Sequence, residues 1–312
     1  KKKFLKKFIK YILRTISFFL VIGISTAVFF LSYSPVAFQK SISVTSVSQS
    51  EFVEIVNDER LINHQLDIPG IIEKIPYNKS DMVYEVLPKE LYNKTVVDGN
   101  GNCSNLSFGL AYYLLNAKHK CQIIHFLPIK GFLMGDGHTV INTSYRYENK
   151  RYNAILDVIE GGMPMLNKAP LAVTDIMTGK NAVDIHFMPL NERKDSLSEY
   201  YDEEFQTTSV IGVIPQNEIE EYFNFMSATY VPFYTKNKKI EKILFNGLSV
   251  VFGYFPDIYV TESDYSTLFE NNFTTKVLAY VLIFSLRIIM ILGLILSLLY
   301  LLKIVRKLIP IN

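Results

Sequence analysis

The chain has 312 residues, of which 49% are hydrophobic, and its 32 basic residues nearly balance 30 acidic ones. All acidic residues lie between Glu51 and Glu270, whereas seven basic residues precede position 15 and five follow position 275. The middle of the chain therefore holds 20 basic against 30 acidic residues, a net charge of −10, which argues against nucleic acid as a partner.

Apolar segments near both ends predict two transmembrane helices, at residues 11–31 and 277–302. At about 1.5 Å per residue, each is long enough to cross about 30 Å of hydrocarbon. Because basic residues flank the outer end of each segment, the positive-inside rule places residues 1–10 and 303–312 in the cytoplasm. The sequence thus predicts a cell-membrane protein whose main domain, residues 33–275, is extracytoplasmic or periplasmic.

Two features of these segments leave alternatives open. The first segment would also fit a cleaved signal peptide, although it is longer than usual and no clear small-x-small cleavage site follows before Ser34. Arg287 lies inside the second segment, where a charge costs at least about 2.5–3.5 kcal/mol on insertion scales. Its side chain either reaches toward the interface of a tilted helix or contacts the first span or a membrane-protein partner.

The domain between the spans begins with weakly patterned segments. Residues 35–55 fit a stalk or an edge strand, and residues 51–74 predict one or two short helices broken at Pro69-Gly70. Residues 80–98 predict a short helix and a strand.

The clearest helix signal is at residues 102–117. Asn102 is a favourable N-cap. One buried face is predicted from the helical spacing of Leu106, Leu110, Tyr113 and Leu114. Cys103 then occupies the first helical position. A strand is predicted at 121–127, where the sequence is largely apolar.

A hairpin is predicted from the alternating segments 138–145 and 152–159. A two-residue turn at Glu148-Asn149 would put His138 and Asp157 on one face, about 5–8 Å apart on the diagonal. A one-residue change of register would place them on opposite faces.

The remaining elements complete a predicted α+β fold in which the 102–117 helix packs on an antiparallel sheet between the two transmembrane helices. They are a loop with a short helix at 163–179, a strand at 183–189, an exposed helix or loop at 191–204, amphipathic helices at 217–225 and 239–252, and an aromatic-rich stretch at 254–264.

Three residues on these elements have the types needed for a catalytic triad. Cys103, His138 and Asp157 supply a thiol nucleophile, a base and an orienting carboxylate. Helix N-terminal N–H groups and a nearby imidazolium both lower the pKa of a thiol. An aspartate in an apolar strand is hard to explain unless it is paired, and Asp157 would hold the imidazole in the correct tautomer.

The turn before the thiol supplies candidate substrate-binding groups. The backbone N–H of Cys103 and the side-chain amides of Asn100 and Asn102 are candidates for stabilising an oxyanion. Gly99 and Gly101 are predicted to leave room for a substrate backbone. The sequence contains no phosphate loop and no dinucleotide fingerprint, and no cofactor is predicted.

Other interpretations of these residues stay open. Cys103 would also fit a small buried residue or one half of a disulfide with Cys121, and Asp136 is a rival partner for His138. A zinc site would draw on Cys103, Cys121, His119, His125 and His138. Because the sequence has no Cys-x-x-Cys or His-x-x-x-His spacing, no metal is predicted.

Short motifs around the three residues resemble the transglutaminase-like superfamily. Gly101-Asn102-Cys103-Ser104-Asn105-Leu106-Ser107, running into Tyr112–Leu115, resembles its nucleophile helix, and Gly137–Val140 and Ile155–Val158 resemble its histidine and aspartate strands. The resemblance covers residues 90–160 and implies a papain-like α+β core with acyl-enzyme chemistry on amides. The family often has an aromatic residue two after the histidine and a proline after the aspartate, where this chain has Val140 and Val158.

Two functions follow from these observations as expectations. The first is a membrane-anchored, extracytoplasmic cysteine peptidase, amidase or amide acyltransferase acting on a peptide or another amide-bearing substrate. The second is a catalytically inactive scaffold or binding module of a membrane complex, built on the same fold. A reactive Cys103 thiol favours the enzyme, whereas a disulfide or an inert thiol favours the scaffold.

Overall fold

The structure is a computed structural model that describes residues 2–33, 40–57, 68–76, 83–134, 137–177, 185–190, 201, 203–229, 237–270 and 272–308. The chain divides into two compact units, one made of the segments Lys1–Ile42 and Asn271–Asn312 and the other of Ser43–Glu270. It is an α+β protein with a mixed sheet and an apolar helix near each end.

The described residues form the following elements. The helices are α1 (Lys2–Tyr33), α2 (Gln49–Val56), α3 (Ile68–Glu73), α4 (Pro88–Tyr92), α5 (Cys103–Asn116), α6 (Val173–Met177), α7 (Glu203–Thr208), α8 (Gln216–Thr229), α9 (Lys238–Phe252), α10 (Glu262–Phe269) and α11 (Phe273–Leu308). The strands are β1 (Val44–Val47), β2 (Cys121–Pro128), β3 (His138–Tyr147), β4 (Lys150–Leu156), β5 (Gly162–Leu166), β6 (Ala169–Pro170), β7 (Ile185–Pro189), β8 (Ser209–Ile214) and β9 (Ile258–Thr261).

The terminal unit pairs two apolar helices. Lys7–Phe29 in α1 and Phe273–Leu302 in α11 are each long and apolar enough to cross a membrane. α1 packs along α11, and the rings of Phe19 and Phe284 meet edge to face with their centroids 5.8 Å apart. Arg287 lies on α11 with an exposed side chain, and its contact with a membrane partner stays a prediction.

A six-stranded sheet with the order β1-β9-β8-β2-β3-β4 forms the centre of the second unit. β1 pairs with β9 in parallel, whereas the other neighbours are antiparallel, so the prediction of an antiparallel sheet is corrected to a mixed one. β1 and β9 run in the same direction, and each leads into a short helix. The N-cap is Ser48 for the helix after β1 and Thr261 for the helix after β9. β1 is an edge strand, one of the two predictions made for residues 35–55.

The β3–β4 hairpin has the predicted register. Glu148-Asn149 forms a two-residue turn with positive φ angles of 45° and 64°, the conformation of type I′ hairpin turns. The ladder extends from this turn to Ile141 opposite Leu156. Asp157 is the next residue after β4 and, because side chains alternate across a strand, it shares the face of His138.

Helix α5 packs against β2 and β3 and has the predicted N-cap, Asn102. Leu106, Leu110 and Leu114 are fully buried as predicted, whereas Tyr113, the fourth residue of the predicted buried face, is half-buried. The hydroxyl of Ser107 donates a hydrogen bond of 3.0 Å to the carbonyl oxygen of Thr139. This bond fastens the first turns of α5 to the start of β3, which brings the thiol and the imidazole together.

A further core cluster joins the central sheet to α2 and to a small sheet with the order β6-β5-β7. Its members come from segments that are far apart in the sequence and include Phe52, Phe126, Val140, Ile155, Leu171 and Tyr201.

Several segments differ from their predicted structure. Residues 80–98 do not include the predicted strand within the described part, because α4 continues as a π-helical turn at Asn93–Val97. Pro69-Gly70 lies inside α3 and does not break it, since a proline in a first turn removes an N–H that has no helical partner. The predicted loop at 163–179 contains the β5–β6 hairpin, turned at Asn167-Lys168 with positive φ angles.

Two strands of the central sheet are not predicted from the sequence. β8 is a short apolar run without alternation, and β9 lies in the aromatic-rich stretch 254–264. The predicted exposed helix or loop at 191–204 lies largely outside the described residues. Tyr201 is described and fully buried, so the expectation of exposure is wrong at this position.

Candidate active site

The thiol of Cys103 lies at the first position of α5. The side chain of Asn102 accepts a hydrogen bond of 2.9 Å from the backbone N–H of Asn105, and the side chain of Asn105 accepts one of 3.5 Å from the N–H of Asn102. This reciprocal capping fixes the turn from which the thiol projects. Cys103 is half-buried, whereas Cys121 is fully buried.

His138 and Asp157 form a direct, buried pair. The Nε2 atom of His138 lies 2.6 Å from Oδ2 of Asp157, and their residues are 2% and 0% exposed. Because a carboxylate only accepts hydrogen bonds, Nε2 carries the proton. The 2.6 Å distance confirms the predicted contact between these two side chains. Because Nε2 is used by Asp157, Nδ1 is the imidazole nitrogen left for the thiol.

The carboxylate of Asp157 is surrounded by donors. Oδ2 also accepts a hydrogen bond of 2.9 Å from the hydroxyl of Tyr201, and Oδ1 accepts one of 3.1 Å from the backbone N–H of Glu160. The backbones of Asp157 and Gly162 exchange two hydrogen bonds that close the loop between them. A buried carboxylate is stable only when it is paired in this way.

The imidazole of His138 lies close enough to Cys103 to shift the pKa of its thiol. Burial raises the pKa of the Cys103 thiol, but the neighbouring His138 and the backbone N–H of Thr139 outweigh it, so the pKa is lowered overall. Burial lowers the pKa of His138, but the charge and hydrogen bond of Asp157 outweigh it and raise the pKa to about 10. These directions favour a thiolate–imidazolium pair at neutral pH.

Aromatic rings enclose the imidazole. The ring of Phe126 is nearly parallel to that of His138, with centroids 6.3 Å apart, and the ring of Tyr201 meets it edge to face at 6.4 Å. These rings keep water away from the bond between His138 and Asp157, which strengthens that bond.

The glycine turn has a structural role besides the predicted one. Gly101 has φ +111°, and a Cβ atom there would lie 2.8 Å from Cβ of Asn105. Gly101 is therefore required by the close approach of Asn105, which also exchanges hydrogen bonds with the backbone of Val83. That Gly101 also leaves room for a substrate backbone stays a prediction.

The predicted oxyanion donors differ in which of their polar atoms already form hydrogen bonds within the protein. The side-chain oxygen of Asn102 serves the helix cap. Asn100 is half-buried, and its backbone N–H donates to the carbonyl oxygen of Lys94, which leaves its side-chain amide as a candidate donor. The backbone N–H of Cys103 belongs to the first turn of α5, where N–H groups have no intrahelical partner.

The alternative partners predicted from the sequence have other surroundings. Cys103 and Cys121 are separate thiols, and Cys121 is fully buried with a pKa raised by that burial. His119 Nε2 bonds to Thr143 at 2.8 Å, and His125 Nδ1 to Thr139 at 3.0 Å. Asp136 lies outside the described residues. Among the described residues, no group of three or more His, Cys, Asp or Glu side chains is arranged to hold a metal ion.

Comparisons with protein-family models, with curated proteins and with solved structures found no match to this chain. The function is therefore inferred from the chain's own residues and their geometry. Tyr201 is the residue of the site that the sequence does not reveal, because nothing in its charged surroundings marks it as buried.

Proposed function

We propose that this protein is a membrane-anchored cysteine enzyme of transglutaminase-like type, whose extracytoplasmic domain cleaves or transfers amide bonds. The observation that carries the proposal is a half-buried thiol at a helix start beside a buried imidazole, whose Nε2 lies 2.6 Å from Oδ2 of a fully buried carboxylate. A buried ion pair adds little net stability, because removing its two charges from water costs free energy. Its position beside a half-buried thiol supports a catalytic role.

The first stage of the proposed reaction forms an acyl-enzyme. The thiolate of Cys103 attacks the carbonyl carbon of an amide, a C–S bond forms, and the C=O electron pair moves onto oxygen. The backbone N–H of Cys103 faces this oxyanion. When the electron pair returns, the C–N bond breaks, and the imidazolium of His138 gives its proton to the leaving amine.

The second stage releases the acyl group. His138 removes a proton from an acceptor molecule, the acceptor attacks the thioester carbonyl, and the C–S bond breaks to restore the thiolate. Water as the acceptor makes the protein a peptidase or amidase, and an amine makes it an acyltransferase.

We expect iodoacetamide at pH 7 to label Cys103 at least about tenfold faster than Cys121, because only Cys103 combines exposure with a lowered pKa. Peptide mapping after a timed pulse measures both rates in the full-length protein. Replacing His138 with Gln, which removes the imidazolium, should slow the labelling of Cys103 and leave Cys121 unchanged. Equal labelling of the two thiols, or no effect of H138Q, would favour the scaffold function.

A second expectation concerns topology, which the charge distribution supports. Both termini are cytoplasmic and residues 33–275 are outside, because basic residues flank the outer ends of the two apolar segments and all acidic residues lie between them. Protease added to intact spheroplasts should cut the central domain and leave a C-terminal fluorescent fusion intact inside the cell. A central domain protected until the membrane is permeabilised would contradict this arrangement.

A further inference from the structure

Tyr201 contacts the site through the carboxylate of Asp157. Its hydroxyl lies 2.9 Å from Oδ2 of Asp157, the same oxygen that accepts the Nε2–H of His138. The side chain is fully buried, and its ring packs edge to face on Phe126 and on the imidazole. The hydroxyl is therefore held within hydrogen-bond distance of a charged acceptor.

Tyr201 keeps its proton and acts as a donor. Burial, and then the charge and hydrogen bond of Asp157, raise the pKa of the Tyr201 hydroxyl well above its ordinary value. A phenol hydrogen bond to a carboxylate is charge-assisted and stronger than a neutral one. Two donors on one oxygen share its negative charge, so the bond from Tyr201 reduces the attraction that Asp157 exerts on His138.

We propose that Tyr201 is a positioning residue of this site, which fixes the carboxylate of Asp157 and limits how strongly that carboxylate holds the proton of His138. The proposal deepens the proposed function and rests on it for its catalytic meaning. An imidazolium that binds its proton too tightly is a poor acid toward the leaving amine, and at neutral pH too little of it is deprotonated to act as a base toward water. Tyr201 thus keeps His138 able to transfer a proton in both stages.

The substitution Tyr201→Phe removes only the hydroxyl and keeps the ring packing. We expect the pKa of His138 to rise in Y201F by about half to one pH unit, because the full charge of Oδ2 then acts on the imidazolium. Carbon-13 NMR of ring-labelled histidine in the full-length protein measures this shift, with the His138 signal assigned from H138Q. Tyr222→Phe is the matched control, since Tyr222 is a buried tyrosine in α8 packed against Phe108 and Phe223.

The sign of the shift separates positioning from a merely structural role. A loosened site would admit water and move the pKa of His138 down toward its ordinary value, and an unused hydroxyl would leave it unchanged. Either result in Y201F would overturn the proposal. In the background of Asp157→Asn the Y201F shift should disappear, as a double-mutant cycle requires for residues that act through one another.

The failure of the proposed function has a different outcome from the failure of this inference. If Cys103 forms no acyl-enzyme with p-nitrophenyl acetate while Y201F still raises the pKa of His138, the enzyme hypothesis falls and the positioning role stands. If acylation occurs, Y201F should lengthen the lifetime of the acetyl thioester about three- to tenfold at pH 7.5, since fewer imidazoles are neutral there.

Discussion

Replacing Cys103 with alanine is expected to eliminate the stoichiometric release of p-nitrophenolate when the full-length protein meets p-nitrophenyl acetate. The thiolate is the nucleophile, and loss of a triad nucleophile removes about 10³-fold or more of the rate. The ester is a suitable probe because its leaving group needs no proton, so the assay reports the nucleophile without knowledge of the natural substrate. Intact-mass measurement should show one acetyl group on the wild-type protein and none on C103A.

The matched control is Cys121→Ala. Cys121 is fully buried in β2, and burial raises its pKa, so its removal should leave the burst and the acetyl adduct unchanged. A burst that persists in C103A, or that disappears in C121A without loss of folding, would contradict the assignment of the nucleophile.

The part of the site that could be predicted from the sequence rests on local rules. Asn102 caps a helix, which places Cys103 at its first turn, and the Glu148-Asn149 turn fixes a register that brings Asp157 to His138. Each of these relations is set by a few neighbouring residues. Hairpin parity therefore predicts the pairing of His138 with Asp157, and helix capping predicts the place of Cys103 on its helix, whereas the approach of the thiol to the imidazole depends on the packing of α5 on β3.

The parts that could not be predicted depend on contacts between distant segments. Tyr201 reaches Asp157 from a position 44 residues further along the chain, and its charged neighbours predict exposure. β8 and β9 insert between β1 and β2, and such pairings are set by the whole sheet. The π-helical turn after α4 likewise depends on a tertiary contact. Thr95 in this turn packs so closely on α5 that a Cβ atom on Gly109 would lie 2.0 Å from the Thr95 hydroxyl oxygen.

The sequence singles out Gly101 as a residue that leaves room beside the thiol, and the structure adds a second reason for a glycine at this position. The glycine is needed because its φ is +111° and because Asn105 lies where a Cβ would project. Asn105 in turn ties the first turn of α5 to Val83 through two hydrogen bonds. These contacts hold the turn from which the thiol projects.

Replacing Asp157 with asparagine is expected to slow hydrolysis of the acetyl thioester about 10²–10⁴-fold, while alkylation of Cys103 at pH 7 falls only about tenfold. Asparagine is nearly isosteric, but it lacks the charge that raises the pKa of His138, and its amide can present a donor to Nε2. The imidazole is then less often in the tautomer that accepts a proton from water. Stopped-flow kinetics and the decay of the acetyl adduct measure the two stages separately.

The same substitution has a pH signature with a defined sign. The pKa of His138 is raised from 6.5 to about 10 by Asp157 in the folded protein, so the stability from this pair is complete below about pH 6.5 and is lost as the pH rises through about 10. The difference in unfolding free energy between the wild type and D157N should therefore shrink between these two pH values. A difference that does not change with pH, together with an unaltered thioester lifetime, would show that Asp157 serves packing and not the chemistry of His138. The alkylation rate of Cys103 separates these cases further, because a carboxylate with only a packing role would leave it unchanged in every folded D157N sample.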